Sequence, residues 1–417
     1  MEREEPFMTT LEPRRAPISR KSMAWQAVFV VFMVGLTCFI WTRERPERLQ
    51  HSFSGNYRIA QDKMYQLITH SGYMPRDSKM LIEVQEMRGT NAWMLVEERE
   101  PFQFINHNTF NVFTIEGDSL YYALEPRPWR PNFGKGYAGG DVNAVPTRQM
   151  VDATPTEQTA PVTKTVRFRK VALRGGPSQD LMTLQGERFC LVGSHVFWLR
   201  SSQTPGVGTS PRPPQPRSDL MLTSLADGST HCIRTGIASN TTLVGGETGV
   251  SWKEFAPASS TAMLFYSSVS DSSPRLLETT EGSQATPRCL EYRDRVYWMA
   301  ERPEKERTAA PHPALMSAGR ERADRREVCA QMGKHRVADL SLHLYQGNLY
   351  CCLAEAPTAE EGDAKGAHDL CCVHPERSDP MEILYRLPQR SLEYHFDEGY
   401  FYFGVERDAC YRFRLHP

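Results

Sequence analysis

The sequence lacks an excess of charge of either sign. Its 49 Lys and Arg are opposed by 50 Asp and Glu, which leaves a formal net charge of −1. Such a balance gives no broad basic face for nucleic acid, and none is expected as a partner. Cysteine is sparse, with 10 in 417 residues, which excludes the disulfide framework of a small secreted domain. Cys38 falls in an apolar segment, so nine remain, an odd number. Catalytic signatures are missing too. There is no nucleophile elbow, no metal-ligand pair at helical spacing and no supported pair of carboxylates, so no catalytic residue, metal or cofactor is assigned. Gly134-x-Gly136-x-x-Gly139 matches a dinucleotide pattern by letters only, because it neither follows a buried strand nor opens a helix.

Long hydrophobic runs are absent with a single exception. Residues 23–41, MAWQAVFVVFMVGLTCFIW, are 19 residues without a charge. That is the length a helix needs to cross about 30 Å of hydrocarbon. Trp25 and Trp41 sit near the two ends, where indole rings favour the headgroup level. A buried soluble helix and a cleaved signal peptide are the alternatives. Charge runs at both ends oppose the first, and the missing small-x-small cleavage site opposes the second. Arg14, Arg15, Arg20 and Lys21 flank one side, while Arg43, Arg45 and Arg48 on the other are diluted by Glu44 and Glu47. The bias puts residues 1–22 in the cytoplasm as a tail. The chain is then a single-pass membrane protein, held by residues 23–41, with the rest extracytoplasmic.

Turn formers are plentiful, with 29 Pro and 28 Gly. Residues 42–78 read as a juxtamembrane linker, in which Tyr57, Ile59, Met64, Tyr65 and Ile68 hint at one short amphipathic helix. From residue 79 the helical period vanishes. A recurring unit takes over: a polar turn followed by a hydrophobic-aromatic triplet. It reads Gly117-Asp118-Ser119-Leu120-Tyr121-Tyr122, Gly193-Ser194-His195-Val196-Phe197-Trp198, Thr248-Gly249-Val250-Ser251-Trp252 and Arg293-Asp294-Arg295-Val296-Tyr297-Trp298. Gly347-Asn348-Leu349-Tyr350-Cys351 and Asp397-Glu398-Gly399-Tyr400-Phe401-Tyr402 complete the series. The last residues of the six copies are separated by 76, 54, 46, 53 and 51 positions, a period that marks a repeat array. Removing a Pro- and Gly-rich insertion at 123–164 shortens the first gap to one repeat.

Each unit expands into four antiparallel strands, which predicts an all-β, six-bladed β-propeller over residues 79–417. The last blade is one strand short. Residues 410–415 are therefore expected to close the ring beside Phe102-Gln103-Phe104-Ile105, which removes the open sheet edges. A hairpin within residues 80–98 has no assigned place.

Val296-Tyr297-Trp298 and Val196-Phe197-Trp198 resemble the repeat strand of YWTD-type six-bladed propellers and of loosely related, membrane-anchored bacterial repeat proteins. The Thr-Asp of that motif is absent: Trp298 is followed by Met299-Ala300 and Trp198 by Leu199-Arg200. The resemblance implies an extracellular binding module.

The long connections at 123–164, 203–217, 301–313 and 354–368 all follow second strands, so one face is decorated and the other tight. The first offers Trp129, Arg130, Phe133 and Tyr137 as candidate hot spots for a protein or polysaccharide ligand. Cys351-Cys352 and Cys371-Cys372 fall on neighbouring strands as candidate cross-strand thiols or disulfides, and a metal site is a further alternative. The other five cysteines read as small core hydrophobes. His343, Glu291, Glu393 and His395 lie on first strands, from which a central channel is lined. The expected function is a binding or scaffolding module acting through its long-loop face. The alternative is a propeller hydrolase or lyase with its site in the channel.

Overall fold

The computed structural model describes Phe29, Met33 and residues 47–48, 57–70, 79–88, 91–99, 102–104, 113–126, 163–202, 216–255, 261–281, 286–302, 312–319, 324–329, 335–337, 342–355, 368–377, 380–387, 391–405 and 409–415. The chain divides into two units, Met1–Glu47 and Arg48–Pro417. In the first, Phe29 and Met33 are helical. The rest of the segment expected to span a membrane, 23–41, lies outside the described residues. Among the described residues no helix is long and apolar enough to cross one.

The second unit is a β-propeller of seven blades, each a meander of four antiparallel strands counted outward from the axis. Blade 1 consists of Tyr57–Ala60, Lys63–His70, Lys79–Glu86 and Ala92–Arg99. Blade 2 runs from Phe113–Glu116 through Ser119–Pro126 and Lys164–Ala172 to Gln179–Gly186, with Phe102–Phe104 as a second segment of its inner strand. Blade 3 is Phe189–Val192, His195–Ser201, Arg217–Ser224 and Thr230–Ala238, and blade 4 is Val244–Gly245, Gly249–Phe255, Thr261–Ser268 and Arg275–Glu281. Blade 5 follows with Cys289–Tyr292, Arg295–Arg302, His312–Ala318 and Arg326–Cys329. Blade 6 holds His343–Tyr345, preceded by His335–Val337, then Asn348–Glu355, His368–Val373 and Met381–Leu387. Blade 7 takes Ser391–Asp397, Tyr400–Val405 and Ala409–Arg414 from the C-terminus and Glu47–Arg48 as its outer strand.

The expectation of six blades is thus corrected to seven. The added blade is built from the supposed linker and the unplaced hairpin. Residues 57–70 form two strands, not a short helix, and Met64-Tyr65-Gln66 takes the triplet's place after the Gln61-Asp62 turn. Closure is corrected as well. The C-terminal strand takes Glu47–Arg48 as its neighbour, while Phe102–Phe104 pairs with the second strand of blade 2.

The triplets are mostly hydrophobic because a second strand is covered on both faces. Val296 and Trp298 pack towards blade 4, and Tyr297 between them packs towards blade 6. Seven apolar clusters result, one between each pair of neighbouring blades, the last joining Ile59, Met64 and Met87 of blade 1 to Tyr402 and Cys410 of blade 7. Trp252 and Trp298 are fully buried, and burial of side chains this large contributes about 3 kcal/mol each.

In blades 1, 5, 6 and 7 both residues of the first-to-second turn take the left-handed region, as hairpins with the native strand twist require. Blade 1 does this without glycine, at Gln61 (φ 55°) and Asp62 (φ 53°). Asp62 then ties the ring shut. Its carboxylate accepts from Arg412 Nη1 at 2.8 Å and Tyr402 OH at 3.3 Å, and its N–H donates to Asp397 at 3.2 Å.

Candidate active site in the central channel

The innermost strands adjoin one another around the axis, and their character changes along the ring. Phe189–Val192 of blade 3 is buried at every position, and blade 2 offers Phe113 and Ile115. Blades 4, 5 and 6 bring Glu247, Arg288 and His343 together there, and the inner strands of blades 1 and 7 carry Arg58 and His395.

Glu247 sits in the first turn of blade 4. Gly246 brings that turn hard against blade 5, since a Cβ there would lie 2.3 Å from the Cys289 carbonyl oxygen. The turn is pinned further by Thr248, whose hydroxyl accepts the Glu291 N–H at 2.9 Å. From this position the Glu247 carboxylate reaches blade 6. It accepts the Leu344 N–H at 2.9 Å and faces His343 Nδ1 at 3.2 Å. Arg288, one residue before the inner strand of blade 5, approaches it at 3.5 Å. The Glu247 side chain keeps 32% of its surface open and that of His343 keeps 12%.

Arg288 sets a positive charge beside this pair. Its charge is felt by Cys190 of blade 3, Glu247 of blade 4, His343 of blade 6 and His395 of blade 7. Arg58 of blade 1 bears on both histidines as well. Burial opposes the charge on Glu247, but the hydrogen bond with His343, the charge of Arg288 and the Leu344 N–H outweigh it and hold the carboxyl below its ordinary value. Burial pushes His343 down, and Glu247 only partly offsets this. Burial, Arg58, His343 and Arg288 all push His395 down, well below its ordinary value. Both imidazoles are therefore neutral at neutral pH. In His343 the carboxylate takes the proton-bearing Nδ1, which leaves Nε2 as the basic nitrogen.

The other first-strand candidates behave differently. Glu291 is drawn sideways into an ion pair with buried Arg275 at 2.9 Å, and the Glu393 side chain lies outside the described residues. Reading the sequence alone missed Glu247, Arg288 and Arg58. The first is a turn residue, the second precedes its strand, and the third lies in the segment taken for a linker.

Trp129, Arg130, Phe133 and Tyr137 lie outside the described residues. The connections expected to be long do join second to third strands in blades 2, 3, 5 and 6, so they leave from the end opposite the tight turns. Cys351 and Cys371 stand directly opposite each other, on the side packed against blade 5, while Cys352 and Cys372 face blade 7. All four are buried free thiols. The hydrogen bond with Cys371, then burial, pushes the Cys351 thiol well above its ordinary value. Cys190, Cys289 and Cys410 are buried as expected of core residues, whereas Cys232 is exposed. Among the described residues no three His, Cys, Asp or Glu side chains group as a metal-ligand set.

No protein-family model matches the sequence, and no curated protein matches it. Solved structures share its fold. A prolyl endopeptidase is 12% identical over 94% of this chain and 52% of its own, with a TM-score of 0.46. An oligogalacturonate lyase in complex with manganese is 11% identical over 90% and 98%, with a TM-score of 0.44. The propeller domain of the Trilobed protease from Pyrococcus furiosus, described as having an open velcro topology, is 10% identical over 70% and 76%, with a TM-score of 0.36. The chain spans about half the length of the prolyl endopeptidase. At these identities the likeness is one of fold.

Two expectations are corrected at this point. The resemblance to YWTD propellers gives way to a seven-bladed ring that matches no family model. The binding or scaffolding module acting through its long-loop face gives way to the channel reading. The ionisable groups that the fold brings together, Glu247, Arg288 and His343, lie among the inner strands and their turns and not on the long loops.

Proposed function

We propose that this chain is a propeller hydrolase or lyase whose reacting groups lie in the central channel. The observation that carries this reading is the Glu247–His343 pair, a carboxylate fixing a neutral imidazole, with Arg288 on the same carboxylate. In this arrangement His343 Nε2 accepts a proton, either from a water that it directs at the substrate or from a substrate carbon. Glu247 holds the ring and stabilises the imidazolium that forms. Arg58 and Arg288 offset negative charge that develops on the substrate. Because the imidazole pKa is lowered, the base stays competent below its ordinary value of about 6.5.

The same proposal keeps residues 23–41 as the membrane anchor, with the short N-terminus cytoplasmic and the propeller outside, where a protein or polysaccharide supplies the substrate. Two experiments test it. The first assays the full-length protein and its His343→Asn variant on a panel of peptides and polysaccharides chosen from the activities of the like-folded proteins. Turnover that vanishes in the variant supports the reading, and turnover that survives in it refutes the role of His343. The second is N-terminal sequencing of membrane-extracted protein, where a mature end beyond residue 41 refutes the anchor.

A further inference from the structure

We infer that Cys351 and Cys371 close a cross-strand disulfide between the second and third strands of blade 6. The inference goes beyond the channel chemistry. It rests on one part of the reading above, that the propeller lies outside the cytoplasm, where disulfides form and persist.

Register singles out this pair among the four cysteines of these strands. Cys351 stands directly opposite Cys371, whereas Cys352 stands opposite Leu370 and Cys372 opposite Tyr350. Directly opposed residues of an antiparallel pair have Cα atoms about 4.5–5.5 Å apart, within the span that a disulfide bridges. Cys352 and Cys372 are diagonal neighbours on the other face, about 7–8 Å apart, which is beyond that span.

The surroundings agree with the register. The Cys351 thiol is hydrogen-bonded to Cys371, and Cys371 Sγ lies 4.0 Å from the Asp369 carbonyl oxygen. Cys352 is hydrogen-bonded to Tyr394 of blade 7 instead. Cys351 and Cys371 are 1% and 0% exposed and share an apolar cluster with Leu315 of blade 5.

The oxidant is a low-molecular-weight disulfide. The thiolate of one cysteine attacks it, forming a mixed disulfide and releasing one small thiol. The second thiolate attacks the protein sulfur of that mixed disulfide, closing the bond and releasing the other small thiol. The two protons lost by the cysteines end on the two small thiols. In the finished fold the hydrogen bond with Cys371 and burial hold the Cys351 thiol well above its ordinary value. Exchange therefore belongs to the folding chain, before blade 5 covers the pair.

Cell-free synthesis of the full-length protein into lipid nanodiscs, in a buffer of oxidised and reduced glutathione, tests the pairing. Remaining thiols are alkylated under denaturing conditions, and tryptic peptides are analysed without reduction. The peptides on either side of Lys365 are expected to be joined, with fragment ions placing the alkyl groups on Cys352 and Cys372. The join should persist in Cys372→Ala and vanish in Cys371→Ala. The inference is overturned by unjoined peptides, by alkyl groups on Cys351 or Cys371 of joined peptides, or by a join that survives in Cys371→Ala. Protein extracted from cell membranes, with thiols blocked at lysis, separates this inference from the placement it rests on. A bond formed in the glutathione buffer but missing from the membranes leaves the pairing standing and refutes the position outside the cytoplasm. A bond missing from both overturns the pairing.

Discussion

Blades 3 and 6 use the same meander to opposite ends. In blade 3 the inner strand, Phe189–Val192, is buried along its length and packs into the clusters on either side. In blade 6 the inner strand, His343–Tyr345, has no fully buried position, and its histidine is committed to a carboxylate from blade 4. The outer strands of both blades form similar sheets. Stability therefore comes from second and third strands, which are alike around the ring, and chemistry from inner strands, which are free to differ. This division explains how one scaffold holds a polar channel without losing its core.

The largest expected effect breaks the comparison on the side of chemistry. His343→Asn should lower turnover by about 10²–10⁴, the usual worth of a positioned base, with little change in thermal stability. An equally large loss of stability would show that blade 6, like blade 3, uses its inner strand for packing. On the side of stability, Trp298→Ala should cost about 3–5 kcal/mol. Its ring is fully buried and its indole N–H donates to Glu278 at 3.0 Å. Denaturant unfolding checks this, and a small cost would contradict the packing of the triplet between blades.

The closure between blades 7 and 1 should respond next. Asp62→Ala removes the carboxylate opposite Arg412, whose side chain is 1% exposed. Loss of this ion pair should cost about 3 kcal/mol, read in the same unfolding assay. The smallest effect is that of pH. His395 has a folded pKa well below its ordinary value, so the unfolded chain binds a proton that the folded chain refuses. Stability is then full above about pH 6.5 and falls as pH drops below it. His395→Asn should flatten that fall, as measured by thermal midpoints across the range.

The propeller was legible because its triplets are buried on both faces, which leaves hydrophobic-aromatic runs at a steady interval. Six of seven copies stood out. The seventh was hidden because Ile59, Met64, Tyr65 and Ile68 mimic helical spacing. The closing strand was out of reach too, since Glu47–Arg48 carries no pattern and its pairing spans almost the whole chain. The site was half legible. His343 and His395 sit on inner strands at countable positions. Glu247 and Arg288 lie just outside strands, and only the folded ring brings residues so far apart in sequence into one channel.

The central claim is a neutral imidazole oriented by Glu247, a carboxylate that Arg288 also approaches. Proton titration of ¹³C-labelled histidine in the full-length protein and in Glu247→Gln measures it directly. His343 is expected to titrate below about 6.5, His395 lower still, and Glu247→Gln should drive His343 further down, because the carboxylate favours its charged form. A His343 that titrates above the ordinary value, or one that Glu247→Gln leaves unmoved, would contradict the account.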